Sequence, residues 1–229
     1  MNRYALALLL TGATFILANC FSMERFSTPI LVGDSWSDGR GDWPNFTRAV
    51  EWDEYHNHAI RGEWLSVKDA ASGDGMAANI ASYLDQYPDA DALIIQGGIN
   101  DIGSGIEAEA MKSALTYMVT EAKARSHIAD IIVMSPGPFG GWGGWTQAMQ
   151  DELDQYLRWL PDFCKSQGID CYATYAAVGH PDNPLIISDG SNGAPAYNTD
   201  GVHVNEAGAI KVAADMDALI EMIRKRPLP

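Results

Sequence analysis

The sequence is poor in basic residues and lacks internal repeats and low-complexity segments. Its 229 residues carry 15 Lys and Arg against 30 Asp and Glu, a formal net charge of −15. Such a surface repels phosphate backbones, and no basic stretch is long enough to offset it, so we expect no nucleic-acid partner. Because no linker or repeat divides the chain, we expect one domain over residues 21–229.

Long hydrophobic runs are absent apart from the first twenty residues. Arg3, an apolar stretch over residues 4–18 and Cys20 form the layout of a signal peptide. The stretch is shorter than the roughly 20 residues of a membrane-spanning helix, which favours a removable export signal. Residues 17–20 also resemble the lipobox of bacterial lipoproteins, so Cys20 is a candidate lipid anchor. Ordinary signal-peptidase cleavage, or an N-terminal helix retained in the mature protein, is the alternative.

These features predict an exported protein, located in the periplasm, outside the cell or at the bacterial envelope. Any membrane contact would then be made through a lipid on Cys20. Only two other cysteines are present, Cys164 and Cys171, seven residues apart across an apparent helix-to-strand turn. In an oxidising compartment a disulfide between them is one interpretation, and two free thiols is the other.

Short β-type runs alternate with helical patterns, which predicts an α/β fold with a parallel sheet. Amphipathic helical spacing covers residues 111–122, 145–164 and 206–224. In an open parallel sheet, functional groups collect beyond the carboxyl ends of the strands. The five predicted strands are residues 29–33, 63–68, 90–96, 130–135 and 169–174.

Three residues could together form a serine nucleophile, its base and the carboxylate that orients the base. Ser35 follows the first predicted strand, and Asp200 and His203 lie three residues apart before the last helix. A serine hydroxyl needs a base to take its proton, and that base needs a third group to hold its tautomer. We therefore predict Ser35 as nucleophile and the pair Asp200 and His203 as its acid–base partner.

Acyl transfer also requires hydrogen-bond donors for the developing oxyanion. Three candidates are present: the backbone N–H of Ser35, the backbone N–H of Gly73 and the side-chain amide of Asn100. Gly73 could equally form a turn, and Asn100 could instead cap a helix that begins near Ile106.

The order and spacing of these motifs resemble those of the SGNH hydrolases, also called GDSL-type esterases and lipases. The resemblance spans residues 30 to about 225 and implies a flavodoxin-like three-layer α/β/α sandwich with a five-stranded parallel sheet. It also implies ester hydrolysis without a cofactor or metal. The absence of a Gly-x-Ser-x-Gly motif argues against the α/β-hydrolase fold. The matching blocks are Gly33-Asp34-Ser35, Gly73, Gly98-Ile99-Asn100-Asp101 and Asp200-Gly201-Val202-His203.

Two positions depart from the family pattern. Trp36 stands where the family usually has leucine, which affects the expected substrate shape, and Asp69 stands where it often has asparagine, which weakens the Gly73 assignment. Residues 139–145 hold three aromatic rings among four glycines. Trp36, Trp142 and Trp145 are candidate substrate-binding residues, although the two tryptophans of this loop could instead pack onto the core.

Other notable residues support weaker alternatives. His180 and Asp182 form a second pair that could serve a serine, and His56 with His58, beside Asp53 and Glu54, has some features of a metal site. We favour neither and predict no metal. The expected substrate is a small ester with a short-chain, aryl or acetylated-carbohydrate group. The alternative function is a non-catalytic surface lipoprotein that binds glycan on the same fold.

Overall fold

The protein is a parallel sheet between two layers of helices, as seen in a computed structural model. The sheet has four parallel strands in the spatial order β1-β2-β3-β4. They are β1 Pro29–Val32, β2 Ala92–Gln96, β3 Asp130–Met134 and β4 Asp170–Tyr172. The α/β fold predicted from the sequence is therefore confirmed. The structure describes residues 25–38, 42–50, 56–66, 75–138, 144–180, 183–188, 190, 196–197 and 200–227.

Three long helices cover one face of the sheet and one long helix covers the other. The first set is α1 Met76–Gln86, α3 Ala108–Lys123 and α4 Gln147–Gln167, and the opposite helix is α6 Glu206–Arg224. A 3-10 turn, Trp43–Phe46, packs beside α6. Two short helices, α2 Ile99–Gly103 and α5 Thr174–Val178, follow β2 and β4, and β5 Gly179–His180 pairs with β6 Asn183–Ile187 as an antiparallel hairpin.

Successive side chains of each strand point to opposite faces of the sheet, so the strands contribute to two cores, one under each helix layer. In β2, Leu93 and Ile95 face α1, α3 and α4, whereas Ala92 and Ile94 face α6. All five β2 residues are buried, because a central parallel strand has helices on both faces. The continuous apolar runs that predicted these strands are a direct consequence.

The predicted strand at residues 63–68 is wrong for its described part, residues 63–66. The carbonyl oxygens of Trp64 and Leu65 accept hydrogen bonds from the first N–H groups of α1. The N–H groups of Leu65 and Ser66 donate to the carboxylate of Asp101. Because these backbone groups are hydrogen-bonded to the start of α1 and to Asp101, they cannot pair with a neighbouring strand.

Residues 56–60 occupy the free edge of β1 instead. Leu31 N–H donates to the His56 carbonyl at 2.9 Å, and His58 N–H donates to the Leu31 carbonyl at 2.8 Å. Ile60 N–H continues the series with the Gly33 carbonyl at 2.9 Å. This irregular segment supports the end of β1, where the turn that contains Ser35 begins.

Among the described residues no helix combines the length and apolar character needed to cross a membrane. The predicted signal segment and Cys20 lie outside those residues. Cys164 and Cys171 are both free thiols.

Candidate functional site

Asp200 and His203 form a compact turn just before α6. One carboxylate oxygen of Asp200 accepts from the N–H groups of Val202 at 3.0 Å and His203 at 2.8 Å. The other oxygen contacts Nδ1 of the His203 ring at 2.8 Å. Partial burial opposes ionisation of Asp200, but these hydrogen bonds outweigh it and lower the pKa of Asp200 to about 2. Asp200 is therefore a carboxylate at neutral pH.

The ionised carboxylate decides which nitrogen of His203 carries the proton. A carboxylate only accepts hydrogen bonds, so Nδ1 must donate, and Nε2 of the neutral ring is left as the acceptor. Nε2 lies 2.7 Å from Oγ of Ser35, and the Ser35 hydroxyl donates to it. The structure thus brings Ser35, His203 and Asp200 into one hydrogen-bonded chain.

Ser35 lies in a tight turn directly after β1. Ser37 N–H closes the turn onto the Asp34 carbonyl at 3.0 Å, and Trp36 N–H donates to the Asp34 side chain at 3.0 Å. Asn57, from the edge segment, donates to the Ser37 carbonyl at 2.9 Å. The turn that contains Ser35 is therefore held both by its own hydrogen bonds and by the neighbouring segment.

Gln96, the last residue of β2, supports the same turn from the sheet side. Its Oε1 accepts from the Ser37 hydroxyl at 3.0 Å and from the Asp34 N–H at 3.4 Å. Trp43 Nε1–H donates in turn to the Ser37 oxygen at 2.9 Å. All of these side chains are buried, so the turn rests on a polar network with little access to solvent.

Asp34 is the one fully buried carboxyl in this turn. Removal from water raises its pKa to about 7, and the hydrogen bond from the Trp36 N–H only partly opposes this. Asp34 is therefore close to half-protonated at neutral pH, unlike the ionised Asp200.

Asn100 lies in the short helix α2, beyond the carboxyl end of β2. Its Nδ2 donates to the Glu63 carbonyl at 2.9 Å, which fixes the orientation of the amide. Gly98, with φ 111°, makes the turn into this helix, and a Cβ there would come 2.5 Å from Met111 Cε. Asn100 therefore does not cap the helix near Ile106, since α2 already contains it.

Asp101 fixes the segment that orients Asn100. Its fully buried carboxylate accepts from the N–H groups of Leu65 at 2.7 Å and Ser66 at 2.9 Å, and from the Ser66 hydroxyl at 2.5 Å. These bonds fix Leu65 and Ser66 in place. Because Glu63 lies only two residues before Leu65, its carbonyl is held in position as well. Asp101 thus acts on Asn100 through this short segment.

The other predicted site residues have mixed placements. Gly73 and Trp142 lie outside the described residues. Trp36 is only 3% exposed and belongs to the core on the α6 side, where its ring fits against Gly137. Trp145 packs against the core on the other side, and its Nε1–H donates to Gln150 at 3.0 Å.

The histidine alternatives take up other environments. His58 stacks on Tyr83 of α1 with ring centroids 4.2 Å apart, and His56 tilts against Tyr87 at 4.6 Å. No group of three His, Cys, Asp or Glu side chains suited to a metal occurs in the described part of the chain. Asp53, Glu54 and Asp182 lie outside it, as does the side chain of His180.

Sequence reasoning missed the polar residues that support the turn, namely Ser37, Trp43 and Gln96. One signal was available for Gln96, which is the only polar residue of the run Ala92–Gln96 and ends it on the functional edge of the sheet. Nothing in the local sequence linked it to Ser37, because their contact joins the end of β2 to the turn after β1, and these two segments are neighbours only in space.

Both the sequence and the fold are similar to those of known proteins. The sequence model of the GDSL-like lipase/acylhydrolase family matches residues 31–209. A GDSL-like lipase from Bacteroides thetaiotaomicron has a TM-score of 0.67 at 15% identity, over 92% of this chain and 97% of that one. A variant of an acetyl-xylooligosaccharide esterase from Geobacillus has a TM-score of 0.60 at 18% identity, over 87% and 96%. At such identities the two structures show a shared fold. No curated protein sequence matches the chain.

Burial of Asp34 predicts a pH-dependent stability. Between pH about 4 and about 7 the unfolded chain releases a proton that folded Asp34 retains, so this residue makes the free energy of unfolding fall as pH rises. The effect is about 1.4 kcal/mol for each unit of pKa difference. We expect Asp34→Asn to lack this contribution. Urea unfolding at several pH values should give wild-type and variant curves that diverge across the window. Parallel curves would contradict the assignment.

Proposed function

Because the chain belongs to the GDSL-like lipase/acylhydrolase family, we propose that it is a serine esterase with Ser35 as its nucleophile. Ester hydrolysis in general follows from family membership, whereas the roles of individual residues and the choice of ester are our proposal. The observation that carries it is the His203 ring, which contacts Ser35 through Nε2 and Asp200 through Nδ1. This is the arrangement by which a base activates a serine hydroxyl.

In the proposed acylation step, His203 Nε2 takes the proton of the Ser35 hydroxyl as Oγ attacks the ester carbonyl carbon. The ring becomes an imidazolium, which the carboxylate of Asp200 stabilises through the Nδ1–H bond. His203 then gives the proton to the departing alcohol oxygen. In the second step His203 activates a water molecule, which releases the acid and restores Ser35.

The proposed oxyanion hole consists of the N–H groups of Ser35 and Gly73 and the amide of Asn100. An amide nitrogen carries two hydrogens, and the Glu63 carbonyl engages one of those on Asn100. The second is left for the substrate oxygen. Donors that are already oriented need no reorganisation when the charge develops, which is the main source of their effect.

We propose small esters as substrates, with a short-chain, aryl or acetylated-carbohydrate group. Trp36 supports this because it adjoins Ser35 and its buried ring packs against Gly137, so protein rather than open space fills this side of the proposed nucleophile. A Cβ at Gly137 would come 2.2 Å from that ring. We also propose that the enzyme works outside the cytoplasm, on the grounds of the signal-like residues 1–20 alone.

The esterase assignment predicts a specific loss of activity. Removing the hydroxyl of Ser35 or the ring of His203 should lower kcat by about 10⁴–10⁶-fold, because the nucleophile and its base act as a unit. Ser35→Ala and His203→Ala would be assayed with p-nitrophenyl esters of increasing chain length and with acetylated xylan. Exposed Ser113→Ala is the matched control and should retain full activity. We expect the wild type to prefer the shortest acyl groups.

Two outcomes would separate this proposal from its alternative. Wild-type protein that binds xylan but hydrolyses none of these esters would favour the non-catalytic glycan-binding function. Full activity in His203→Ala would instead move the base elsewhere, first to His180.

The contacts of Asp101 predict a second effect on catalysis. In Asp101→Asn an amide N–H₂ replaces one acceptor oxygen and faces the donors of residues 65–66, so the Glu63 carbonyl should lose its position beside Asn100. We expect kcat to fall by about tenfold or more, up to the 10²–10³-fold effect of deleting a single oxyanion donor, with little change in KM. Steady-state kinetics with p-nitrophenyl acetate measures both constants.

Ser66→Ala is the matched control for this prediction. It removes the hydroxyl bond to Asp101 and leaves both backbone N–H bonds, so we expect a smaller loss. A kinetic cycle with Asn100→Ala should show that the Asp101 and Asn100 effects are not additive. Additive losses, or a variant that loses stability but keeps kcat, would limit Asp101 to a structural role.

A further inference from the structure

Two cysteines lie where the last turn of α4 meets strand β4. Cys164 belongs to that turn and is 1% exposed, whereas Cys171 is the exposed central residue of β4. Gly168, with φ 65°, ends the helix, and the Ile169 N–H donates back to the Cys164 carbonyl at 3.0 Å. The chain therefore folds back so that β4 starts beside the turn that holds Cys164.

The alternation of β4 directs Cys171 towards α4. Its neighbour Tyr172 packs on the α6 side and donates its hydroxyl to Asp215 of α6 at 3.1 Å. Cys171 must point to the opposite face, where its register partner Val133 and Cys164 both belong to the core under α4. Both cysteines therefore lie on the α4 face of β4, on either side of the turn at Gly168 that joins the helix to the strand.

The two neighbouring thiols are unequal. Interaction with Cys164 lowers the pKa of Cys171, against the opposing effects of burial and of Asp170. The same interaction and its own burial raise the pKa of Cys164. The thiolate is the reactive form of cysteine, so the reactive sulfur is also the exposed one.

We propose that Cys171 and Cys164 are a redox-modification site, which a low-molecular-weight disulfide oxidises to an intramolecular disulfide. The Cys171 thiolate attacks one sulfur of the external disulfide, forms a mixed disulfide and expels one thiolate. Cys164 then loses its proton to water, and its sulfur attacks that of Cys171 and expels the second thiolate. Two protein thiols are oxidised and one external disulfide is reduced to two thiols.

The bond would join the three-residue strand β4 to α4. β4 pairs with β3 on one side, and the new link would bind it to the helix layer as well. Closing a loop of this length should raise the melting temperature of the oxidised protein by about 5 °C. This site is independent of the proposed esterase function, because neither sulfur contacts the Ser35 turn or its base.

The test exposes the full chain, purified in reductant, to oxidised glutathione under native conditions. We expect peptide mapping to find Cys164 linked to Cys171, separately from Cys20, with no glutathione retained on either. The melting temperature should rise and return to its original value when reductant is added. Cys164→Ala should instead keep one glutathionyl group on Cys171, because the second sulfur is missing.

Cys171→Ser is the matched variant and should stay unmodified at the buried Cys164. The proposal is overturned if wild-type Cys171 retains glutathione and forms no disulfide with Cys164. It is equally overturned if both thiols remain open to alkylation in the folded protein after the treatment, or if the linked pair melts no higher than the reduced protein.

Discussion

One imidazole ring joins two distant parts of the chain, and the geometry of the site depends on that join. His203 comes from the turn before α6, and Ser35 follows β1, 168 residues earlier. Their contact persists only while α6 is seated on the sheet, through buried residues such as Val212, Met216 and Ile220. The core on this face therefore sets the distance between Ser35 and His203, in addition to stabilising the fold.

Around this join, buried polar side chains occur at the carboxyl ends of the strands. Gln96 supports the turn that contains Ser35, and Asp101 holds the segment that orients Asn100. Burying polar groups is unfavourable unless each one finds partners, and Asp101 finds three. Burial raises the pKa of Asp34 to about 7, whereas hydrogen bonds keep Asp200 ionised at neutral pH. At the carboxyl ends of the strands, hydrogen-bonded polar side chains therefore lie directly beside the two apolar cores.

Much of this was predictable from the sequence, because the apolar runs, the helical periods and the motif blocks are local signals. The four parallel strands and the long helices follow from them, and the Asp200 and His203 turn follows from their spacing.

The second predicted strand was wrong because the backbone N–H groups of Leu65 and Ser66 donate to Asp101, which is 35 residues or more away in sequence. The role of Gln96 was equally hidden, because its partner Ser37 is adjacent only after β1 and β2 pair. Trp36 was a candidate substrate-binding residue because it adjoins Ser35, yet its side chain fills the core.

The central claim is that Ser35 is made nucleophilic by His203 and Asp200. The most direct measurement is covalent labelling with a fluorophosphonate, followed by peptide mapping of the modified serine. The account predicts a single adduct on Ser35, formed rapidly by the wild type and very slowly by His203→Ala. An adduct on another serine, or equal labelling rates with and without the His203 ring, would contradict it.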